Sequence, residues 1–282
     1  MRRVICFFLL LNIGILLSSC AESQKERQVS FAPEIKSTIS LKTVPEEPVA
    51  NEIILENYKK EPSEWGEQVT GVKTRMNTSD KKLALTFDAC GGPYGNSFDE
   101  ELISFLRKEE IAATLFINEQ WVLENEEIFL DLAADPLFQI ENHGTDHVPL
   151  SVSGGEAWGI RATESPKQVY DEIMHNHETV EKLTGKQMEL FRSGTAYYDE
   201  VAVKLANDLG YEVVNFDILG DAGATYTDEQ VKNALLHAKP GSIALLHMNQ
   251  PQSGTAEGVK KAIPLLKEKG FQFVQLGDEL YE

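Results

Sequence analysis

From about residue 81 to the C-terminus, short apolar runs alternate with longer segments in which apolar residues recur every three or four positions. Continuous runs of this kind read as strands buried on both faces, and the 3.6-residue recurrence reads as amphipathic helix packed over them. Strands are predicted at 83–88, 113–118, 137–142, 187–192, 212–217, 242–247 and 271–276, with helices at 98–110, 119–134, 166–184, 199–209, 228–238 and 256–269. Several helices mark their own ends. Ser165 stands as N-cap before Pro166 at the first helical position, Thr227 as N-cap before Asp228 and Glu229, and Gly185 and Gly210 follow helix ends. Repeated βα alternation builds a parallel sheet, so the fold class is α/β with about seven parallel strands, long enough to bury an ordinary core. The Gly- and Ser-rich span 149–164 is predicted as a long surface loop.

The first 65 residues follow a different pattern. Arg2 and Arg3 precede an apolar stretch over 6–17, closed by Leu17-Ser18-Ser19-Cys20, which is too short to span a bilayer and reads as an export signal over residues 1–19. That ending resembles a bacterial lipobox, which implies cleavage before Cys20, lipid attachment to it, and a protein anchored to a bacterial membrane in the cell envelope. Ordinary secretory cleavage near Ala21 is the alternative. Residues 20–65 carry scattered charge and prolines at 33, 45, 48 and 62 without apolar period, and read as a flexible tether with a reach of roughly 35–40 Å. A single folded domain is then expected over 66–282. Once Cys6 is removed and Cys20 lipidated, Cys90 is the remaining cysteine, so no intramolecular disulfide is predicted. The chain has 45 acidic against 26 basic residues, net −19, which argues against a broad electrostatic surface for nucleic acid or anionic lipid.

Uncommon polar residues fall at chosen places on this pattern. Asp88, His143, Arg192, Asp217 and His247 all stand at the C-terminal ends of predicted strands or just beyond, the rim of an α/β sheet where reactive groups from distant parts of a chain meet. His143 and His147 are four apart, a spacing at which two imidazoles can share one metal ion.

Thr86-Phe87-Asp88, the His-x-x-x-His pair 143–147, Phe191-Arg192 and Leu245-Leu246-His247 occur in this order. Together they resemble the motifs of the polysaccharide deacetylases with the NodB homology domain, carbohydrate esterase family four, over about residues 81–280. The resemblance implies a distorted (β/α) barrel and a metal-dependent hydrolase that removes N-acetyl groups from amino sugars of a cell-wall or other polysaccharide. It implies a divalent metal, zinc by donor type, held by His143, His147 and a third protein ligand. Asp88 would be the general base, His247 the general acid, Arg192 the group that keeps Asp88 ionised, and Asp217 or Asp221 the partner of His247. Leu245 would line the acetyl pocket, and a backbone donor near Thr195 would complete the oxyanion site.

The sequence departs from the family pattern at Ala89, where a second Asp normally supplies the third ligand. Asp88 itself, the Cys90 thiolate or water are the available replacements, with His143, His147 and Asp88 the expected set. Ser193-Gly194-Thr195 replaces the usual prolines and aromatic, and Ala222-Gly223 stands where a Trp usually follows Asp221. Two other functions fit the same residues: an O-acetyl glycan esterase and a catalytically silent glycan-binding lipoprotein. His175, His177 and His237 are expected on the surface.

Overall fold

The computed structural model describes residues 55–277, so the expected export signal, Cys20 and most of the tether lie outside the described residues. Eight strands form one sheet: β1 (Lys82–Ala89), β2 (Ala113–Ile117), β3 (Phe138–Asn142), β4 (Leu190–Phe191), β5 (Glu212–Val213), β6 (Ile218–Leu219), β7 (Ser242–His247) and β8 (Gln272–Val274). Their order is β6-β7-β1-β2-β3-β4-β5, with β8 paired to β1, and every pairing is parallel. The first half of β1 pairs with β8 and the second half with β2, so the sheet splays there. Residues 73–75 bridge Val214 on one side and Ser242 on the other, which ties the curled sheet across its β5 end.

Among the described residues these helices pack around it: α1 (Glu100–Lys108), α2 (Glu119–Glu124), α3 (Glu126–Ala134), α4 (Pro166–Thr184), α5 (Glu200–Asp208), α6 (Asp228–Leu235) and α7 (Thr255–Glu268). Several starts are fixed by side-chain caps. Ser165 accepts from Gln168 N at α4, Asp199 from Ala202 N at α5, and Thr227 with Gln230 forms a capping box at α6. Such caps contribute about 1 kcal/mol each.

The period-2 alternation of β1 decides where chemistry can occur. Leu83, Leu85, Phe87 and Ala89 join the main core under the helices, with Leu102, Trp121 and Phe129. Ala84 faces the other way into a smaller cluster with Met76, Phe116, Leu190, Val214 and Ile243, which plugs the inside of the curl. Thr86 and Asp88 continue that inner row and are buried. The inner face is thus apolar at the start of β1 and polar at its end.

Four expectations are corrected. Of the predicted strand 212–217 only β5 (212–213) is strand, and β6 follows beyond it, because the buried Asn215 turns the chain, its amide donating to Glu67 O and Ala196 O. The helix predicted over 119–134 divides at Asn125, whose amide donates to Asn96 O and Trp121 O. The loop 149–164 contains a small hairpin, Glu156–Ala157 against Ile160–Arg161, with Trp158 at its tip. Residues 55–65, expected in the tether, pack on the domain: Tyr58 is buried and bonded to Asp208, and Trp65–Gly66 pairs with Tyr198–Asp199.

Candidate active site

Asp88 ends the inner row of β1, and Arg192 follows β4 directly across the curl. Arg192 is fully buried and each of its three nitrogens donates: Nη1 to Asp88 Oδ1 and Thr86 Oγ1 (both 2.8 Å), Nε to Val214 O (3.0 Å) and Nη2 to Asn215 O (3.1 Å). Its guanidinium lies 4.1 Å from the centre of the Phe116 ring. This fork fixes one carboxylate oxygen of Asp88 and leaves Oδ2 facing His143 Nε2 at 3.6 Å.

His143 follows β3 and is buried. Its Nδ1 lies 2.9 Å from Arg192 O, and because a carbonyl only accepts, Nδ1 carries the proton and Nε2 keeps its lone pair for the site. His147 stands on the loop beyond, at φ +59, with its ring 5.0 Å from that of His143 and nearly perpendicular to it. That strained loop is held from two sides. Glu172 of α4 accepts from Asp146 N (2.8 Å) and Val148 N (3.4 Å), and Gly194 packs so closely that a Cβ there would lie 2.4 Å from the His147 carbonyl carbon. Burial pushes the Glu172 carboxyl up to about 7.

Cys90 Sγ lies 3.9 Å from His143 Nε2. Cys90, His143 and His147 each offer a ligand atom within 4.8 Å of the others, the one such set among the described residues. His147 Nε2 is buried with no hydrogen-bond partner. An orphaned imidazole nitrogen beside a second imidazole and a thiol is what a borderline-soft divalent ion such as zinc or cobalt fits. Burial would push the Cys90 thiol up, but the neighbouring imidazoles of His147, His143 and His247 outweigh it and hold the thiol well below its ordinary value.

His247 is the last residue of β7, adjacent in register to Asp88. Its Nδ1 is 2.9 Å from Asp221 Oδ1, and its backbone N–H donates to Asp221 Oδ2 (2.7 Å), which also accepts from Thr255 Oγ1 (2.9 Å). Burial opposes charge on His247, but Asp221 more than offsets this and holds the imidazole well above its ordinary value. Asp221 in turn, despite burial, is lowered by His247 and Thr255.

Asp88, His247, Leu245 and Thr195 line one cleft of about 440 Å³, together with Phe216 and Trp158. Another cleft of about 480 Å³, lined by residues including Glu141 and Lys186, has no imidazole or thiol on its walls. Asp217 does not reach the site. It pairs with Arg75 and accepts from Ser242 Oγ and Ile243 N, at the start of β7, about 16 Å of strand from His247. The division of the predicted strand 212–217 is the cause, and of the two expected partners of His247 the structure selects Asp221. His175 and His237 are exposed, whereas His177 is half-buried and bonded to the Tyr211 hydroxyl.

Sequence reasoning missed several supporting residues. Tyr198 bridges Ser193 N and Asn215 Oδ1 beneath the Arg192 loop, Thr255 completes the Asp221 carboxylate, and Glu172 holds the His147 loop. Trp158, 74% exposed, reaches the cleft from a hairpin whose only sequence signal is a large aromatic in a Gly-rich loop.

A family model for polysaccharide deacetylase matches residues 75–214. The peptidoglycan-N-acetylmuramic acid deacetylase PdaA of Bacillus subtilis (strain 168) is 28% identical over 255 residues, covering 84% of this chain and 89% of its own. Two solved structures share the fold. A pseudoenzyme of carbohydrate esterase family four from Bacillus anthracis has a TM-score of 0.62 at 21% identity, covering 75% of this chain and 69% of its own. A family 4 acetyl xylan esterase from Clostridium thermocellum, in complex with a cobalt ion, has a TM-score of 0.56 at 25% identity, covering 69% and 88%.

Proposed function

We propose, for a chain that belongs to the polysaccharide deacetylase family, that it removes N-acetyl groups from amino sugars of peptidoglycan, outside the cytoplasm and with the help of a divalent metal. The observation that carries this reading is that Asp88, held by Arg192, lines one cleft with His247, held by Asp221, while the other Asp88 oxygen faces His143 of the His143–His147 pair. The deacetylase relative that acts on peptidoglycan supports the polymer, and the leader over residues 1–19 followed by Cys20 supports export and lipid anchoring.

A divalent ion held by His143 and His147, zinc by their chemistry, would acidify a water and polarise the acetyl carbonyl. Asp88 is the group placed to take the water's proton, since Arg192 holds one oxygen and leaves the other free. His247, cationic through Asp221, gives its proton to the nitrogen as the C–N bond breaks, so amine and acetate leave. Leu245 and Phe216 offer an apolar wall for the acetyl methyl, and the backbone near Thr195 is the candidate donor to the carbonyl oxygen. The direct experiment measures acetate released from N-acetylated peptidoglycan and from O-acetylated xylan, before and after chelation. Chelator-sensitive release from peptidoglycan is expected. Release from xylan alone would make the protein an O-acetyl esterase, and glycan binding without acetate from either would make it a silent binding protein.

A further inference from the structure

We infer that Cys90 supplies the third protein ligand of the metal site, so that this chain holds its ion through two imidazoles and one thiolate. The inference deepens the proposed reading and rests on it for the presence of a metal. Three features of the structure lead to it. Ala89 is packed in the main core, so residue 89 presents nothing to the site, and the donors near it are Asp88 on the inner face of β1 and Cys90 just past its end. Asp88 is not in the set of mutually close donors, and one of its oxygens is committed to Arg192, whereas Cys90, His143 and His147 form that set. The His147 Nε2 atom in this group is buried without a partner, which marks a place for a ligand.

The distances suit the chemistry. Four donors arranged tetrahedrally about zinc, with bonds of about 2.0–2.1 Å to nitrogen and 2.3 Å to sulfur, stand roughly 3.3–3.6 Å apart. The 3.9 Å between Cys90 Sγ and His143 Nε2 needs only a few tenths of an ångström of closure. Cys90 and His147 are partly exposed, so an ion has a route in. The thiol loses its proton to solvent as the metal–sulfur bond forms, with no change of oxidation state. The consequence for the reaction is a division of labour: the thiolate holds the ion, and Asp88 stays free to act as base.

Cobalt(II) titration of the full-length protein tests this. Thiolate ligation gives a sulfur-to-cobalt charge-transfer band in the near ultraviolet, which imidazole and carboxylate ligands do not. The band is expected in the wild type and absent in Cys90→Ser. Cobalt affinity should fall by more than the roughly 10–100-fold that losing an outer-shell partner costs. As a check that does not depend on a variant folding, zinc should protect Cys90 of the wild type from alkylation, read by peptide mass, and a chelator should remove that protection. Cobalt bound by the wild type without the band, undiminished affinity in Cys90→Ser, or alkylation indifferent to zinc would overturn the inference. The two readings fail separately: acetate release without the band refutes the thiolate ligand, and the band without acetate release refutes the deacetylase.

Discussion

Replacing Asp221 by Asn isolates the role given to His247. Asp221 is fully buried and accepts three hydrogen bonds, two at Oδ2 and one at Oδ1 from His247 Nδ1. Asn keeps the shape but has one acceptor oxygen. That oxygen is best placed at the Oδ2 position, where His247 N–H and the Thr255 hydroxyl both donate, so the amide N–H₂ faces His247 Nδ1. A donor there forces Nδ1 to accept, which selects the neutral imidazole and abolishes the cation. The attraction lost is large: opposite unit charges 2.9 Å apart gain about 6 kcal/mol at an effective dielectric of about 20. Loss of a positioned general acid costs about 10²–10⁴ in rate, or about 3–5 kcal/mol of barrier, which this interaction can account for. The assay compares kcat/KM for acetate release from an N-acetylated glycan and from an aryl acetate, whose phenolate leaves without a proton. Asp221→Asn should lower the amide reaction about 10²–10⁴-fold and the aryl ester less than about tenfold. Residual amide activity should lose its alkaline limb at lower pH than wild type, because removing Asp221 removes the group that raises His247. Equal losses on both substrates, or an amide loss below about tenfold, would remove His247 from the acid role.

Three further outcomes follow from the geometry. Gly194→Ala puts a methyl 2.4–2.6 Å from the backbone of His147, which must shift; misplacement on the ångström scale costs about 10²-fold in rate, and an unchanged kcat/KM would show that the loop does not position His147. Trp158→Ala removes the exposed ring at the cleft mouth, and a lost sugar-stacking contact of about 0.5–1.5 kcal/mol predicts a KM for polymer raised about 2–12-fold with kcat held; an effect on kcat alone would contradict a binding role. Glu141 is buried and pushed up to about 7 by that burial. Its native state therefore holds a proton that the unfolded chain has released between about pH 4.5 and 7, and stability from this group falls as pH rises through that window. Denaturant titration at pH 5 and 8 should show Glu141→Gln gaining about 2.5 kcal/mol relative to wild type at the higher pH, and a constant difference would refute the shift.

The parts of the site legible in the sequence are those fixed by strand periodicity. Thr86 and Asp88 fall on one face because β1 is an unbroken buried run, and His143 and His247 lie at or just past strand ends that the apolar pattern marks. Asp217 shows where that logic stops. The run from Glu212 to Asp217 has the composition of one strand, yet Asn215 is buried by partners at Glu67, Ala196, Arg192 and Tyr198, none of which is near it in sequence. Those bonds turn the chain before Asp217, hand it to Arg75 at the far end of β7, and bring Asp221 to His247 instead. Glu172 was hidden for the same reason: a carboxylate on an amphipathic helix reads as surface, and only the tertiary fold shows it buried against the loop of His147. The distinction is physical. Side chains that face the cleft are placed by local periodicity and can be read from spacing, whereas the residues that hold them are defined by long-range hydrogen bonds and carry no periodic signal. Cys90 belongs to both classes, two residues after Asp88 just past the end of β1 and beside an imidazole that arrives from 53 positions away. Its place just past the end of β1 could be read from the sequence, but its chemistry could be assigned only once the fold had brought His143 and His147 beside it.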